Sequence, residues 1–236
     1  MPTARVRRPA WFNPTGTGAK LAIAIIGCSL LATLPMAANF LPLSPVSVTR
    51  GAIWQLLSYQ FISFTPLGVL FDALIVWQIG GALESSWGTR RMLGLALGIP
   101  AIAGALTVVI CRYVLNVDGA FAGAEVLAST VWVAYGLAHG RSQISFWGFP
   151  ISGNLFAGIG VLFVVLNAAF SGWLRVLPDA LAIALAIGYL RLGSPRTVLL
   201  RFQSWRFRRQ LKARSTHLKL IVKDRNTPDD SDRYLH

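Results

Sequence analysis

Six apolar runs, nearly free of charge, divide this chain, and any fold it adopts must keep them away from water. Leu21 to Thr49 carries no charged residue, and its most apolar part ends near Ala38. Leu67 to Leu83 is broken only by Asp72, Met92 to Leu115 carries Arg112 at its end, and Gly119 to Ala138 contains Glu125. Arg141 opens a charge-free run to Leu174, whose helical part is Asn154 to Phe170, and Val176 to Leu192 closes the series. Roughly 20 apolar residues in a helix cross the hydrocarbon core of a bilayer. Composition agrees, with 13 % charged residues against roughly 25 % in a soluble domain, and a mean hydropathy of +0.57. So few charges cannot cover a soluble surface, which excludes a soluble enzyme or nucleic-acid module. The expected class is an all-α membrane protein with six transmembrane helices over 21–192, an N-terminal tail 1–20 and a C-terminal tail 193–236.

Charge placement predicts the orientation. Six crossings put Arg5, Arg7, Arg8, Lys20, Arg90, Arg91, Arg141, Arg191 and the eleven basic residues after 192 on one side, leaving Arg50, Arg112 and Arg175 on the other. Under the positive-inside rule both termini are then cytoplasmic. An even count argues against a seventh span at Gly51 to Pro66, which reads as an interfacial loop carrying Trp54, Tyr59 and Phe61. It argues equally against cleavage of the first helix as a signal peptide. In the C-terminal tail Val198, Leu199, Phe202, Trp205 and Leu211 recur among arginines, a pattern that suits an amphipathic helix on anionic lipid rather than a nucleic-acid contact. Trp54, Trp77, Trp87, Trp147 and Trp173 read as interfacial anchors. Gly80, Gly81, Gly94, Gly98 and Gly104 read as close helix contacts. Abundant Ala, Gly and Arg point to a bacterial inner membrane.

Several segments resemble the rhomboid family of intramembrane serine proteases. Gly51 to Phe61 (GAIWQLLSYQF) resembles the loop after the family's first helix, with Gln55 following Trp54 where the family has Arg. Leu67 to Arg91 resembles the second helix and its turn, including Glu84 and Gly88. Phe121 to Val126 (FAGAEV) falls where the family carries Gly-x-Ser-Gly, and Ala184 to Leu190 resembles the end of the sixth helix, whose Gly-xxx-Gly appears as Ala184 and Gly188. The resemblance runs over residues 15 to 195 and implies a six-helix rhomboid-like bundle. It also places every catalytic position on an unsuitable residue. The nucleophile falls on Glu125, the histidine base on Leu181, and the oxyanion-stabilising His and Asn on Gly68 and Asp72.

The residues alone lead to the same conclusion. Serine hydrolysis needs a hydroxyl within reach of a base. The histidines are His139, His217 and His236, none on the outer half of the bundle, and no lysine lies there either. Ser129, one turn deeper than Glu125, has no evident base and reads as a helix-packing serine. Cys28 and Cys111 are isolated, so neither a disulfide framework nor a metal site is expected, nor any cofactor. Asp72 and Glu125 read as the two acids well inside the spans. Such residues call for a partner or a wet cavity, and the rhomboid fold implies that both face one cavity. The expected function is an inactive rhomboid-like protein that binds client transmembrane helices. The alternatives are an active intramembrane protease using other residues, an acid-pair protease included, and a small transporter using the acid pair.

Overall fold

Hydroxyl caps, prolines and glycines set the helix ends in the computed structural model, which describes residues 15–146 and 149–192. Among the described residues six helices have fifteen or more residues: α1 (Thr17–Leu31), α2 (Pro66–Trp87), α3 (Thr89–Val109), α4 (Ala124–His139), α5 (Gly153–Ser171) and α6 (Leu177–Leu192). α2 starts where the Thr65 hydroxyl accepts from the Gly68 N–H at 3.1 Å, with Pro66 in the first turn. It stops at Gly88, whose φ of +80° suits glycine. α3 runs on through a π-helical turn, Ile110–Leu115, and ends at left-handed Asn116. Among the described residues α2, α3 with its π turn, and α5 are long and apolar enough to cross a membrane. α1, α4 and α6 are shorter, at 15, 16 and 16 residues.

One expectation about an element boundary is corrected. The first apolar run does not form one helix to Ala38: α1 stops at Leu31, and Pro35–Ala38 makes a separate turn, because proline cannot continue a helix. Before α5 the chain forms an antiparallel hairpin, β1 (Gln143–Phe146) with β2 (Phe149–Ser152), pairing Gln143 with Ser152. The basic C-terminal segment, the N-terminal arginines and Trp147 lie outside the described residues.

α4 is the central helix. Every residue from Val126 to Ala134 is buried, and the helix packs against α2, α3 and α5, while α1 lies along α2. Backbones approach closely where glycines meet. A Cβ on Gly18 would sit 2.7 Å from the Gly81 nitrogen, and one on Gly136 would sit 2.6 Å from the Ala157 nitrogen. Gly80 and Gly104 also pack tightly, but Gly94 and Gly98 face open space, so those two are not helix contacts.

The 51–66 segment is a loop with a short helix, Gln55–Ser58, and a 3₁₀ turn, Tyr59–Phe61. Only part of it is interfacial. Trp54 is exposed, stacks on Phe40 and donates to its carbonyl at 3.2 Å, whereas Tyr59 is fully buried. The Tyr59 ring wedges between Gly104 and Gly123, and its hydroxyl donates to the Pro100 carbonyl at 2.5 Å. The Tyr59 and Ile62 carbonyls accept from the Gly123 and Ala124 N–H groups at 2.9 and 3.0 Å. They thereby satisfy amides that the start of α4 leaves without helical partners. Gln55 is buried, taking the Ser44 N–H at 3.1 Å and donating to Phe40 O at 3.3 Å.

Glu84 ties three helices together at the opposite end. Its carboxylate accepts from the Thr17 N–H at 2.7 Å, the Thr17 hydroxyl at 2.5 Å and the Thr89 hydroxyl at 2.8 Å. An anion there also complements the positive N-terminal ends of α1 and α3. Charge-assisted hydrogen bonds contribute about 1.5–3 kcal/mol each at most. Glu84→Ala should therefore lower the detergent melting temperature by several degrees, while Glu84→Gln should lose less. Equal melting of the Ala variant and the wild type would show that the carboxylate holds nothing.

Candidate functional site

α2, α4 and α6 all begin at the same end of the bundle, and each carries an acid in its first two turns. Asp72 lies six residues past Pro66, Glu125 is the second residue of α4, and Asp179 is the third of α6. Two cavities meet there. The larger, about 540 Å³, is walled by apolar side chains of α2, α4 and α5 and includes Gly68, Asp72, Glu125 and Ser129. The smaller, about 230 Å³, is a polar vestibule formed by the loops before α2 and α4, with Glu125, Arg175 and Asp179. Ser63, Thr65, Glu125 and Asn167 line both.

Of the residues singled out from sequence, Asp72, Glu125 and Gly68 do come together on one cavity. Leu181 lines neither cavity and packs against the core. The α6 residue on this side is Asp179, which the sequence reading passed over. It is only 3 % exposed, and Ser129 Oγ lies 3.2 Å from its Oδ1 and 3.1 Å from Val126 O. Ser129 is therefore not without an acid–base neighbour. A usable signal existed: Asp179, Ala182 and Ala186 follow the i, i+3, i+7 spacing of one helix face, and all three are buried. Ala184 is exposed and a Cβ on Gly188 would meet nothing within 4 Å, so the packed small-residue face of α6 is Ala182 and Ala186, not Ala184 and Gly188.

The three acids differ in how their oxygens are satisfied. Glu125 accepts a short hydrogen bond from the Asn167 amide, and Asn167 in turn accepts from the Ser171 hydroxyl at 2.8 Å. Glu125 and Asp179 also sit in the first turns of their helices, where the helix dipole favours an anion. Asp72 lies deeper along its helix. Ser63 stands beside its carboxyl, yet Oδ2 is buried with no hydrogen-bond partner. A buried oxygen left unpartnered costs about 1–3 kcal/mol, and more if charged.

Gly68 is fixed by its surroundings. A Cβ there would lie 2.5 Å from the Ser63 hydroxyl oxygen and 2.7 Å from that of Thr65. A histidine at this position would have to displace both hydroxyls, one of which caps α2. Farther in, Phe71, Trp132 and Phe163 meet with ring centroids 5.5–6.2 Å apart and close the inner side of the larger cavity. Among the described residues no three His, Cys, Asp or Glu side chains gather so as to hold a metal ion. The arrangement can hold a polar or charged group at the end of an apolar slot.

No curated protein matches this sequence. A family model does, and its eukaryotic description points away from the bacterial inner membrane expected from composition. It matches residues 19–192, the whole run from α1 to the end of α6, and on that match the chain belongs to the family described as eukaryotic integral membrane protein (DUF1751).

Proposed function

We propose that this integral membrane protein is a rhomboid-like pseudoprotease. In this reading its chain crosses the bilayer six times with both tails cytoplasmic. It binds a transmembrane segment of another protein between α2 and α5 without cleaving it. The observation that carries the reading is the slot itself. α2 and α5 each pack on α4 and touch one another through the Phe71 and Phe163 rings, and the cavity beside that contact is apolar with acids at one end. A cavity of about 540 Å³ falls in the range of specific binding sites. The hydrolytic positions support inactivity, since Glu125 replaces the nucleophile and packed hydroxyls stand where an oxyanion-stabilising side chain would reach from Gly68.

The test uses the full chain in liposomes with a synthetic Leu/Ala transmembrane peptide. A photo-crosslinker at Phe163, on the slot, should capture the peptide, and one at exposed Ile102 on α3 should not. Equal capture at both positions, or none at either, would overturn the reading.

One observation favours a second reading. Ser129 faces both the larger cavity and Asp179, as the nucleophile of a serine hydrolase with a carboxylate base would. A carboxylate is a weak base at neutral pH, and the Val126 carbonyl is an equally close acceptor, as is common for helical serines. Labelling of Ser129 by a fluorophosphonate, lost in Ser129→Ala, would establish hydrolysis; the pseudoprotease reading expects none.

A further inference from the structure

We propose that the slot between α2 and α5 selects a transmembrane helix bearing one basic side chain, whose ammonium or guanidinium group meets Asp72. This inference rests on the client-binding reading and adds the chemistry of the client.

Shape argues for a helix as the occupant. On α2 the slot is lined by Leu67, Phe71 and the buried Ile75, and on α5 by Phe163, Phe170 and the buried Gly160. The Phe71 and Phe163 rings meet across it with centroids 5.7 Å apart and must part for an occupant to lie along its whole length. At 1.5 Å per residue those rows run about 12 and 15 Å along the two helices. That is two to three helical turns, longer than a compact ligand requires. Leu67 and Phe170 are exposed to 78 % and 89 %, so the slot is open at the end where those two residues stand. An occupant with side chains repeating every three to four residues matches this geometry.

Charge argues for the basic group. Among the described residues the ionisable ones lining the larger cavity are Asp72 and Glu125, with Asp179 behind Ser129, and no basic side chain of theirs lines it. Arg175 lies at the vestibule, on the far side of Glu125. Glu125 has Asn167, Asp179 has Ser129, and both have a helix N-terminus. Asp72 lines the slot. Of these three acids it is the one whose carboxyl keeps an oxygen, Oδ2, buried without a hydrogen-bond partner among the described residues, the side chain being only 4 % exposed. A basic residue inside a membrane helix has the mirror problem, because it is costly until it finds a carboxylate. Bringing the two together satisfies both, with the apolar walls of the slot supplying the rest. A neutral amide would satisfy the oxygen but would leave a carboxylate without a counter-charge.

The experiment places the photo-crosslinker at Phe163 in full-length protein in liposomes. Four Leu/Ala transmembrane peptides are offered, differing at one position two turns from the end, where Lys, Gln, Leu or Glu is placed. Capture of the Lys peptide should exceed that of the Leu peptide about tenfold, with Gln between and Glu lowest. Asp72→Asn should bring the Lys peptide down to the Gln level, while Asp72→Glu should keep the preference and so control for folding. Equal capture of Lys and Leu peptides, or a Lys preference that survives in Asp72→Asn, overturns the proposal and leaves client binding standing. Capture of none of the four overturns both.

Discussion

Gly136→Ala is expected to lower the melting temperature in detergent by about 5–10 °C, whereas Gly98→Ala should leave it unchanged or raise it slightly. The same methyl group is added to a helix in both cases, and only its surroundings differ. At Gly136 it would sit 2.6 Å from the Ala157 nitrogen and 2.7 Å from the Gly153 carbonyl oxygen, both backbone atoms of α5. Neither can turn aside as a side chain could, so the two helices must separate. Their spacing is fixed at that end by the Gly140 carbonyl, which accepts from the Asn154 N–H at 2.7 Å, and by the Ser142 carbonyl, which accepts from the Gly153 N–H at 3.1 Å. At Gly98 nothing lies within 4 Å, and alanine is the better helix former by about 1 kcal/mol. The consequence should also reach the site, because the α4–α5 crossing sets how Asn167 meets Glu125. Thermal melts of the two variants decide it, and equal melting temperatures would mean that the helices do not cross this closely.

The contrast between these glycines shows what could be read from the chain alone. Hydropathy placed the long helices, because water exclusion is a property of each segment by itself. Facing is not. Gly94 and Gly98 carry the small-xxx-small spacing that suggests a contact, yet both point outward, while Gly136 and Gly153 meet although they belong to different helices. Tyr59 looked interfacial from its aromatic neighbours, but the space left by Gly104 and Gly123 draws its ring inward. The site shows the same divide. Asp72 and Glu125 were visible as charges inside apolar runs, and they do share a cavity. Asp179 sits beside Pro178 at the edge of its run, so linear position does not mark it as lying well inside a span. Helical phase, through Ala182 and Ala186, turns it inward. Leu181, two residues on, is turned away from that face and is only half-buried, since a shift of two residues rotates a side chain by about 200° around a helix of 3.6 residues per turn.

A double-mutant cycle on Asp72 and Glu125 should show strong coupling at pH 8. Like charges repel strongly where apolar walls keep the dielectric constant low. With both carboxylates on one apolar-walled cavity, that interaction opposes folding. Asp72→Asn and Glu125→Gln preserve shape, and the glutamine still offers an oxygen to the Asn167 amide. Each single change removes the same repulsion, so each should raise the melting temperature by several degrees, and the pair together should gain clearly less than the sum. The expected departure from additivity has that one sign. At pH 5, as protons occupy the carboxyls, there is less repulsion to remove and the coupling should shrink. Asp179→Asn gives an internal comparison, because its oxygen still accepts from Ser129 while its charge, adjoining Glu125 at the vestibule, is gone; it should couple to Glu125→Gln with the same sign. Additive effects at both pH values would mean that the carboxylates do not sense one another across the cavity. The field that is meant to favour a basic client residue would then be absent, and Asp72 would have to act through its unpartnered oxygen alone.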